Sequence, residues 1–549
     1  MCKWMPAEIW RRALLGAGAG LLLGLVGHAA PAREEKAHHP NIVLIVADDL
    51  GYGDLSCYGA TKIATPAVDR LAAGGLRFTD AYVAASICSP SRFSILTGVY
   101  SWRTRLKFGV LTPFARPLIE ADRTTLASLL KRNGYDTAAI GKWHLGFDWP
   151  LKTNAPANPG KNVFDTWNAK AQNAIDFSKP LRGGPVDCGF DSFFGLAASL
   201  NMMPYVYVAN DRVVQPPSVK MTEVYDDMVR NTLQAPDWDP RTVNQVLTRK
   251  AVGVINGHFT ARDGRPLFLY FATAAVHRPC LPTFTKGKSR AGLRGDMVQE
   301  FDWSVGEIVR ALESHRALDD TLLIVTSDNG PRPGDPLASL ENYQHQDFAK
   351  DLYLGYFARF KPEDINPTGD QTWKTGWLTY GHRAAGPLLG FKEDAWDGGL
   401  RVPLIVHWPG AIKTARTNAD TLCLTDLMAT FAELVGDQLR PGEGVDSYSF
   451  LACLFHAHAP PGRKSLVVSA GGTGALVVRL GDWKYIQAGQ PHWEQTYYPN
   501  GPSFRDEQLY NLKADVGEHT NLCAQLPGVV AKLKSLIPLV QRQARSEGN

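Results

Sequence analysis

The stretch NIVLIVADD, from Asn41 to Asp49, decides the fold class of this chain. After Asn41 the run is apolar and rich in β-branched residues up to Ala47, which is typical of a strand that is buried on both faces of a parallel sheet. Asp48 and Asp49 then stand at the carboxyl end of that strand. Two adjacent carboxylates suit a hard cation, although an Asp-Asp pair taken alone is more often part of a turn.

Three further apolar runs end in polar residues in the same way. They cover Tyr135 to Gly141, Pro266 to Ala272 and Thr321 to Ser327. Ligands of open α/β sheets bind beyond the carboxyl ends of the strands, so we expect the polar residues that follow the runs to meet at one site. A Lys and a His two residues apart on an extended chain would also point to the same side. These polar residues are Lys142, His144, His277, Asp328 and Asn329.

Helical patterns alternate with these strands. Thr124 to Gly134 has a polar start and a glycine stop, and Leu293 to Leu312 carries apolar residues at helical spacing. This alternation predicts an α/β fold with a large, mostly parallel sheet sandwiched by helices. From residue 459 the pattern changes to short strands and a final helix over Pro527 to Ser546, which predicts a catalytic domain over residues 40–458 and a small antiparallel-sheet subdomain over 459–549.

Composition is that of a large globular enzyme. The chain has 549 residues and a net charge of +4 that is spread along its length. No basic tract is present, so no nucleic-acid partner is expected. The eight cysteines show neither a CxxC spacing, which disfavours zinc, nor the spacing of a small disulfide framework.

The N-terminus has the pattern of a signal peptide over residues 1–32. Lys3, Arg11 and Arg12 precede an apolar stretch from Ala13 to Val26, and small residues follow it. The stretch is shorter than the roughly 20 residues that span a bilayer. We therefore expect an exported protein, periplasmic or secreted, with no stable membrane span after cleavage.

A pentapeptide, Cys88-Ser89-Pro90-Ser91-Arg92, adds the chemistry to this scaffold. An isolated cysteine beside a helix start is usually a buried free thiol. Here, however, Gly141 to Gly146 reads GKWHLG, and Lys392 precedes the double glycine Gly398-Gly399. Together these motifs resemble the type I, formylglycine-dependent sulfatases of the alkaline phosphatase superfamily, of the arylsulfatase and N-acetylgalactosamine-6-sulfatase kind. The resemblance runs from about Asn41 to the C-terminus.

The resemblance implies a role for each motif residue. A separate formylglycine-generating enzyme would oxidise Cys88 to formylglycine, whose hydrate is the nucleophile. His144 would take a proton from that hydrate, and His277 or Lys392 would protonate the leaving oxygen. Positive groups would offset the charge of the sulfate, and Ser199 and His382 are expected to contact the substrate. The positive groups are Arg92, Lys142 and Lys392, and the implied Ca²⁺ ligands are Asp48, Asp49, Asp328, Asn329 and the residue at position 88.

The expected activity is hydrolysis of sulfate esters, with a sulfated carbohydrate or an aryl sulfate as substrate. Two long irregular regions, 148–188 and 331–389, are typical of binding loops. The aromatic residues Trp373, Trp377 and Tyr380 of the second could stack on sugar rings or pack onto their own domain. Two alternatives remain: a phosphonate monoester or phosphodiester hydrolase of the same superfamily, and a non-catalytic carbohydrate-binding relative.

Overall fold

The computed structural model describes most of the chain after residue 38. The described residues are 39–153, 169–221, 228, 232–332, 335–336, 377–378, 380–457, 459, 462–489 and 505–546. The predicted signal segment, Trp373 and most of the region 331–389 lie outside them. Of Trp377 only the backbone is described, so the predicted stacking of these two tryptophans on a sugar stays a prediction.

Strands and helices alternate along the first four-fifths of the described chain, and short strands dominate its end. The strands are β1 (Asn41–Ala47), β2 (Leu76–Phe78), β3 (Ala81–Tyr82), β4 (Asp136–Lys142), β5 (Ser192–Leu196), β6 (Val208–Ala209), β7 (Arg212–Val213), β8 (Val219–Lys220), β9 (Leu233–Gln234), β10 (Leu267–Ala272), β11 (Thr321–Ser327), β12 (Asp335–Pro336), β13 (Trp377–Leu378), β14 (Leu404–His407), β15 (Arg416–Asn418), β16 (Leu422–Cys423), β17 (Ser465–Ser469), β18 (Leu476–Leu480), β19 (Trp483–Ile486) and β20 (Gln508–Asn511). The helices are α1 (Pro66–Ala73), α2 (Cys88–Thr97), α3 (Leu126–Arg132), α4 (Ala169–Ala174), α5 (Val243–Ala261), α6 (Gly292–Ser314), α7 (Asp397–Leu400), α8 (Leu427–Leu434), α9 (Leu451–Phe455) and α10 (Pro527–Ser546).

One large sheet forms the centre of the structure, in the order β15-β2-β14-β11-β1-β10-β4-β5-β6-β7. Its middle strands, β11, β1, β10, β4 and β5, are parallel. Antiparallel pairs border them, β11 with β14 on one side and β5 with β6 on the other. The predicted fold, a mostly parallel sheet with helices, is confirmed, and the antiparallel borders make the sheet mixed.

The middle strands are buried along their whole length, as their apolar runs predict. Every residue of β1, β10 and β11 is buried. Helices α1, α5 and α6 pack together in one group, and α2, α3 and α8 pack together in a second. Because β1 pairs in parallel with both β10 and β11, the carboxyl ends of these strands lie at the same edge of the sheet.

A small four-stranded antiparallel sheet, β17-β18-β19-β20, follows, and α10 packs against it. This matches the predicted C-terminal element, whereas the domain boundary at residues 458 and 459 stays a prediction. The described cysteines are all free thiols. Among the described residues, no helix combines the length and the apolar character that crossing a bilayer requires.

Candidate active site

The polar residues that follow the middle strands meet at one edge of the sheet. Asp48 and Asp49 directly follow β1, and Asp328 and Asn329 directly follow β11. All four are buried, with no more than 2% of their surface exposed. Asp49 has a φ of 61°, in the left-handed region that non-glycine residues rarely adopt. Such backbone strain is concentrated at functional sites.

The backbone between Lys142 and His144 differs from the extended segment that the sequence predicts. Strand β4 ends at Lys142, and His144 has a left-handed φ of 54°, so the two residues do not lie on one extended segment. Lys142 Nζ contacts Asp48 at 2.8 Å, and its positive charge adds to burial in lowering the pKa of the His144 ring. The extended segment that the sequence predicts is therefore interrupted after Lys142, and the shared direction of the two side chains stays a prediction.

Cys88 enters the site from the first turn of α2. Its Sγ atom lies 3.7 Å from Asp48 Oδ1, 4.0 Å from Asp49 Oδ1 and 3.1 Å from Lys392 Nζ. Arg92, four residues later, faces the same side because residues i and i+4 are neighbours on a helix. Its Nε donates to Asp328 Oδ2 at 2.9 Å. The motif thus places position 88 between a group of carboxylates and a lysine.

Each buried carboxylate has a cation beside it. Lys142 Nζ lies 2.9 and 2.8 Å from the two oxygens of Asp48. Lys392 Nζ lies 2.7 and 2.9 Å from those of Asp49. Arg92 completes the set with a 2.7 Å contact to Asp328. Buried charges are tolerated only when they are paired and hydrogen-bonded, and here three carboxylates and three cations satisfy that condition.

These pairs shift the pKa values in opposite directions. Burial alone would raise the pKa of Asp49, but the ammonium of Lys392 and the other nearby positive groups hold it well below its usual range. Burial raises the pKa of Asp328, and Arg92 opposes that rise only in part. Burial also raises the pKa of the Cys88 thiol to about 12, although Lys142 and Lys392 lower it. An unmodified Cys88 would therefore remain a neutral thiol, which is a poor nucleophile.

The two histidines are neutral and have defined tautomers. His144 Nε2 lies 3.1 Å from the carbonyl oxygen of Leu111, which can only accept, so Nε2 carries the proton. Its Nδ1 is buried without a hydrogen-bond partner among the described residues. His277 Nδ1 lies 2.7 Å from the Arg278 carbonyl oxygen, and its Nε2 faces Asp49 Oδ2 at 3.7 Å. Burial, with the help of nearby lysines, lowers the pKa of both rings, so each presents one unprotonated nitrogen.

The carboxyl-end residues fit a hard metal ion. Ligand atoms of Asp48, Asp49, Cys88 and His277 lie within 4.8 Å of one another. Asn329 Nδ2 donates to Asp49 Oδ1 at 2.8 Å, while its Oδ1 is buried with no hydrogen-bond partner among the described residues. Carboxylate and amide oxygens select Ca²⁺ or Mg²⁺ over softer metals. The orphaned amide oxygen and the clustered carboxylates are therefore consistent with the predicted Ca²⁺ ligands.

His382 and Ser199 lie in different surroundings. His382 Nε2 contacts Asp54 Oδ1 at 2.8 Å. Arg294 donates to both oxygens of the same carboxylate, at 2.7 and 2.6 Å. Arg294 also donates to the Asp49 backbone oxygen at 3.0 Å. His382 thus supports the loop of Asp49 through Asp54 and Arg294, two residues that the sequence reasoning missed. The Ser199 hydroxyl is buried without a hydrogen-bond partner in the described part of the chain. Contact of either residue with substrate stays a prediction.

Fold and site together define an α/β enzyme that binds an anionic ester among buried cations. The chain belongs to the sulfatase family: the Sulfatase family profile matches residues 40–437. It is 31% identical to N-acetylgalactosamine-6-O-sulfatase of Bacteroides thetaiotaomicron, over 95% of this chain and 97% of that protein. It is 30% identical to human arylsulfatase A, over 96% and 91%. A solved Bacteroides thetaiotaomicron structure, described with the metabolism of multiple glycosaminoglycans, superimposes with a TM-score of 0.73 and 30% identity, over 92% of this chain and all of that one. The protein is thus a sulfuric ester hydrolase.

Proposed function

We propose that this chain is an exported carbohydrate sulfatase whose nucleophile is formylglycine made from Cys88 and whose site holds Ca²⁺. The observation that carries the proposal is the position of Cys88, 1% exposed, between the Asp48 and Asp49 carboxylates and the Lys392 ammonium. A thiol with a pKa near 12 has no evident use at that point. The Sγ position marks where the oxygens of a hydrated aldehyde would lie, among both donors and acceptors.

Each implied group supplies chemistry that ordinary side chains lack. Hydrated formylglycine supplies a geminal diol as nucleophile, and Ca²⁺, held by Asp48, Asp49, Asp328 and Asn329, supplies a Lewis acid for oxygen atoms. The maturation step requires a separate formylglycine-generating enzyme as a transient partner.

The chain's own residues bind the sulfate and move protons. Lys142, Lys392 and Arg92 supply fixed positive charge for the sulfate oxygens, a role that burial strengthens because no water screens it. The unprotonated Nδ1 of His144 is a proton acceptor, consistent with its predicted role as base. Lys392, which has protons to give and lies 3.1 Å from position 88, is the better donor to the leaving oxygen. Neutral His277, whose Nδ1 proton is held by a carbonyl, presents an acceptor instead.

The substrate we propose is a sulfated mono- or oligosaccharide, such as a 6-sulfated galactose-type sugar. Support comes from the relative that acts on N-acetylgalactosamine 6-O-sulfate groups, with nearly complete coverage of both chains. The signal pattern of residues 1–32 would place the protein in the periplasm or outside the cell, where sulfated polysaccharides and their fragments occur.

A kinetic comparison on the matured protein tests the proposal. The substrates are an aryl sulfate, an aryl phosphodiester and a panel of defined sulfated saccharides. We expect the highest kcat/KM on a sulfated saccharide, measurable turnover of the aryl sulfate, and far slower cleavage of the phosphodiester. Faster phosphodiester cleavage would favour the related hydrolases, and no turnover of any ester would favour a non-catalytic relative.

A further inference from the structure

The segment from Arg105 to Gly109, RLKFG, presents an aromatic ring to solvent close to the active site. Phe108 is 60% exposed, the most exposed of the large apolar side chains that the structure describes. Arg105 and Lys107 on the same segment are exposed as well, and within the described residues neither forms an ion pair. A lone exposed aromatic is ordinary on a protein surface, so its position decides whether it has a function.

The backbone just after Phe108 is tied to two active-site elements. Leu111 donates its N–H to Ser89 Oγ at 3.2 Å, beside Cys88, and its carbonyl oxygen receives the His144 Nε2 proton at 3.1 Å. Three residues of chain span about 10 Å at most, so Phe108 lies within that distance of Leu111 along the backbone. The backbone of Phe108 therefore lies within about 10 Å of a residue that contacts the His144 ring, and its own ring is exposed to solvent.

Backbone hydrogen bonds also connect the Phe108 segment with the segment that carries Lys392. Gly109 donates to the Gly471 carbonyl oxygen at 2.8 Å, and Gly472 donates to the carbonyl oxygen of Glu393, the residue after Lys392, at 3.0 Å. Gly474 lies beside the Phe108 side chain, since a β-carbon there would be 3.6 Å from Phe108 Cβ, an ordinary van der Waals separation. Hydrogen bonds thus connect the segments that carry Phe108, Lys392 and Cys88, through Gly471, Gly472 and Leu111.

We propose that Phe108 and Lys107 form a binding subsite for the sugar ring next to the one that carries the scissile sulfate. The inference rests on the proposed carbohydrate sulfatase function and specifies an oligosaccharide as the better substrate. Sugar rings present C–H faces that stack on aromatic side chains, and the ring of Phe108 offers such a face without a polar group. A neighbouring sulfate or carboxylate on the oligosaccharide would be attracted by Lys107, whose Nζ donates one hydrogen bond to the Trp102 carbonyl oxygen and has no described acid beside it.

The test compares Phe108→Ala with the parent enzyme on three substrates: an aryl sulfate, a sulfated monosaccharide and the matching sulfated oligosaccharide. Loss of one stacking contact corresponds to about a ten-fold lower kcat/KM on the oligosaccharide, mainly through KM. The monosaccharide and the aryl sulfate should change less than about two-fold, because they do not reach the subsite. Phe108→Trp should retain the oligosaccharide preference, and Lys107→Met should weaken the salt dependence of oligosaccharide turnover.

Phe455→Ala is the matched control, since Phe455 is also an exposed phenylalanine, at 43%, and packs on Trp408. It should leave all three rates unchanged. Equal effects of Phe108→Ala on all three substrates, or none on the oligosaccharide, would overturn the subsite while leaving the sulfatase function intact. A parent enzyme that cleaves the monosaccharide as fast as the oligosaccharide would overturn it too. An enzyme active only on aryl sulfates would instead contradict the carbohydrate function itself.

Discussion

Two buried clusters of charge in this protein both pair carboxylates with cations, and they differ in which buried atoms are left without a hydrogen bond. The catalytic cluster lies at the strand ends, and the Asp397 cluster joins the segment after Lys392 to the small C-terminal sheet. The catalytic cluster comprises Asp48, Asp49, Cys88, Arg92, Lys142, His144, His277, Asp328, Asn329 and Lys392, and the Asp397 cluster comprises Tyr82, Asp397, Arg479, Lys484 and Glu518.

In the Asp397 cluster every carboxylate oxygen lies near a donor, but Glu518 Oε1 and Arg479 Nε are still buried without a hydrogen bond among the described residues. All four carboxylate oxygens of Asp397 and Glu518 lie 2.7 Å from a donor: Lys484 Nζ twice, the Tyr82 hydroxyl and the Asp397 N–H. The catalytic cluster leaves Asn329 Oδ1 and His144 Nδ1 buried without hydrogen-bond partners among the described residues. Such atoms are costly in a merely structural network, because a buried polar group that is not hydrogen-bonded loses its hydration. Both clusters contain such atoms, but Glu518 Oε1 still faces the Lys484 ammonium at 2.7 Å, whereas Asn329 Oδ1 and His144 Nδ1 are acceptors that a metal ion or a proton can use.

Removing the nucleophile should break the catalytic cluster's function and spare its structure. Cys88→Ala should lower turnover at least about a thousandfold, because no other side chain can supply the nucleophile. Its midpoint of thermal unfolding should change little, since the substitution removes only the polar substituents of one β-carbon. Steady-state kinetics and a thermal melt measure both. Cys188→Ala, at another buried cysteine, is the control and should keep full turnover.

Opening the metal site should remove binding and catalysis together. Asp328→Ala deletes one proposed oxygen ligand and leaves Arg92 without its carboxylate, so bound calcium and turnover should both be lost. Calcium should raise the stability of the parent by about 2.7 kcal/mol at a hundredfold its Kd and fail to do so in the variant. Elemental analysis measures the bound calcium, and thermal melts with and without EGTA measure its effect on stability. Asp302→Ala, at a buried carboxylate that caps α1 through the Val68 N–H, should keep its calcium. Zinc in the parent, or full activity after chelation, would refute this assignment.

Breaking the Asp397 cluster should lower stability and leave turnover nearly unchanged. Lys484→Met leaves two buried carboxylates without their ammonium and should cost about 3–5 kcal/mol of unfolding free energy. The molecules that remain folded should keep kcat within about two-fold, because Lys484 has no contact with the catalytic cluster among the described residues. Urea unfolding and kinetics at low temperature separate the two quantities, with Lys464→Met, at an exposed lysine, as control. A normal unfolding midpoint with lost turnover would reverse the roles assigned to the two clusters.

The smallest expected effect is a pH dependence of stability. Burial raises the pKa of Glu518 above its usual value of 4.5, although Lys484 opposes the rise. The folded state then binds more protons than the unfolded state once the pH exceeds about 4.5, so Glu518 lowers stability as pH rises toward its folded pKa. Glu518→Gln should flatten this decline by about 1 kcal/mol per pH unit. Melts at pH 5 and pH 7 test it, and identical slopes in parent and variant would show that Glu518 is ionised throughout.

Sequence alone predicts the buried strands well and the supporting contacts poorly. β1 and β11 begin and end where their apolar runs do, because strands buried on both faces tolerate few polar residues. The two-residue strands β6 to β9 have no periodicity to read, and α4 lies within a region expected to be irregular. Strand β14 and helix α5 were not predicted either.

The site shows the same division. Its charged residues follow from their positions at strand ends and in the motifs. The Leu111 carbonyl that fixes the His144 tautomer is a backbone group. Every residue type has this group, so the sequence does not indicate which residue supplies it. Arg294 lies in a helical pattern that is fully explained by core packing, so no local signal connects it with Asp49. Contacts between segments that are 245 residues apart require the folded structure.

The most direct test of the central claim is the chemical state of position 88 in protein matured by its own host. Peptide mass spectrometry of the fragment that contains Cys88 should show the mass loss expected when an aldehyde replaces the thiol. The modified fraction across preparations should be proportional to turnover, because only modified molecules carry the nucleophile. Fully active protein in which the fragment carries only an unmodified thiol would contradict the account.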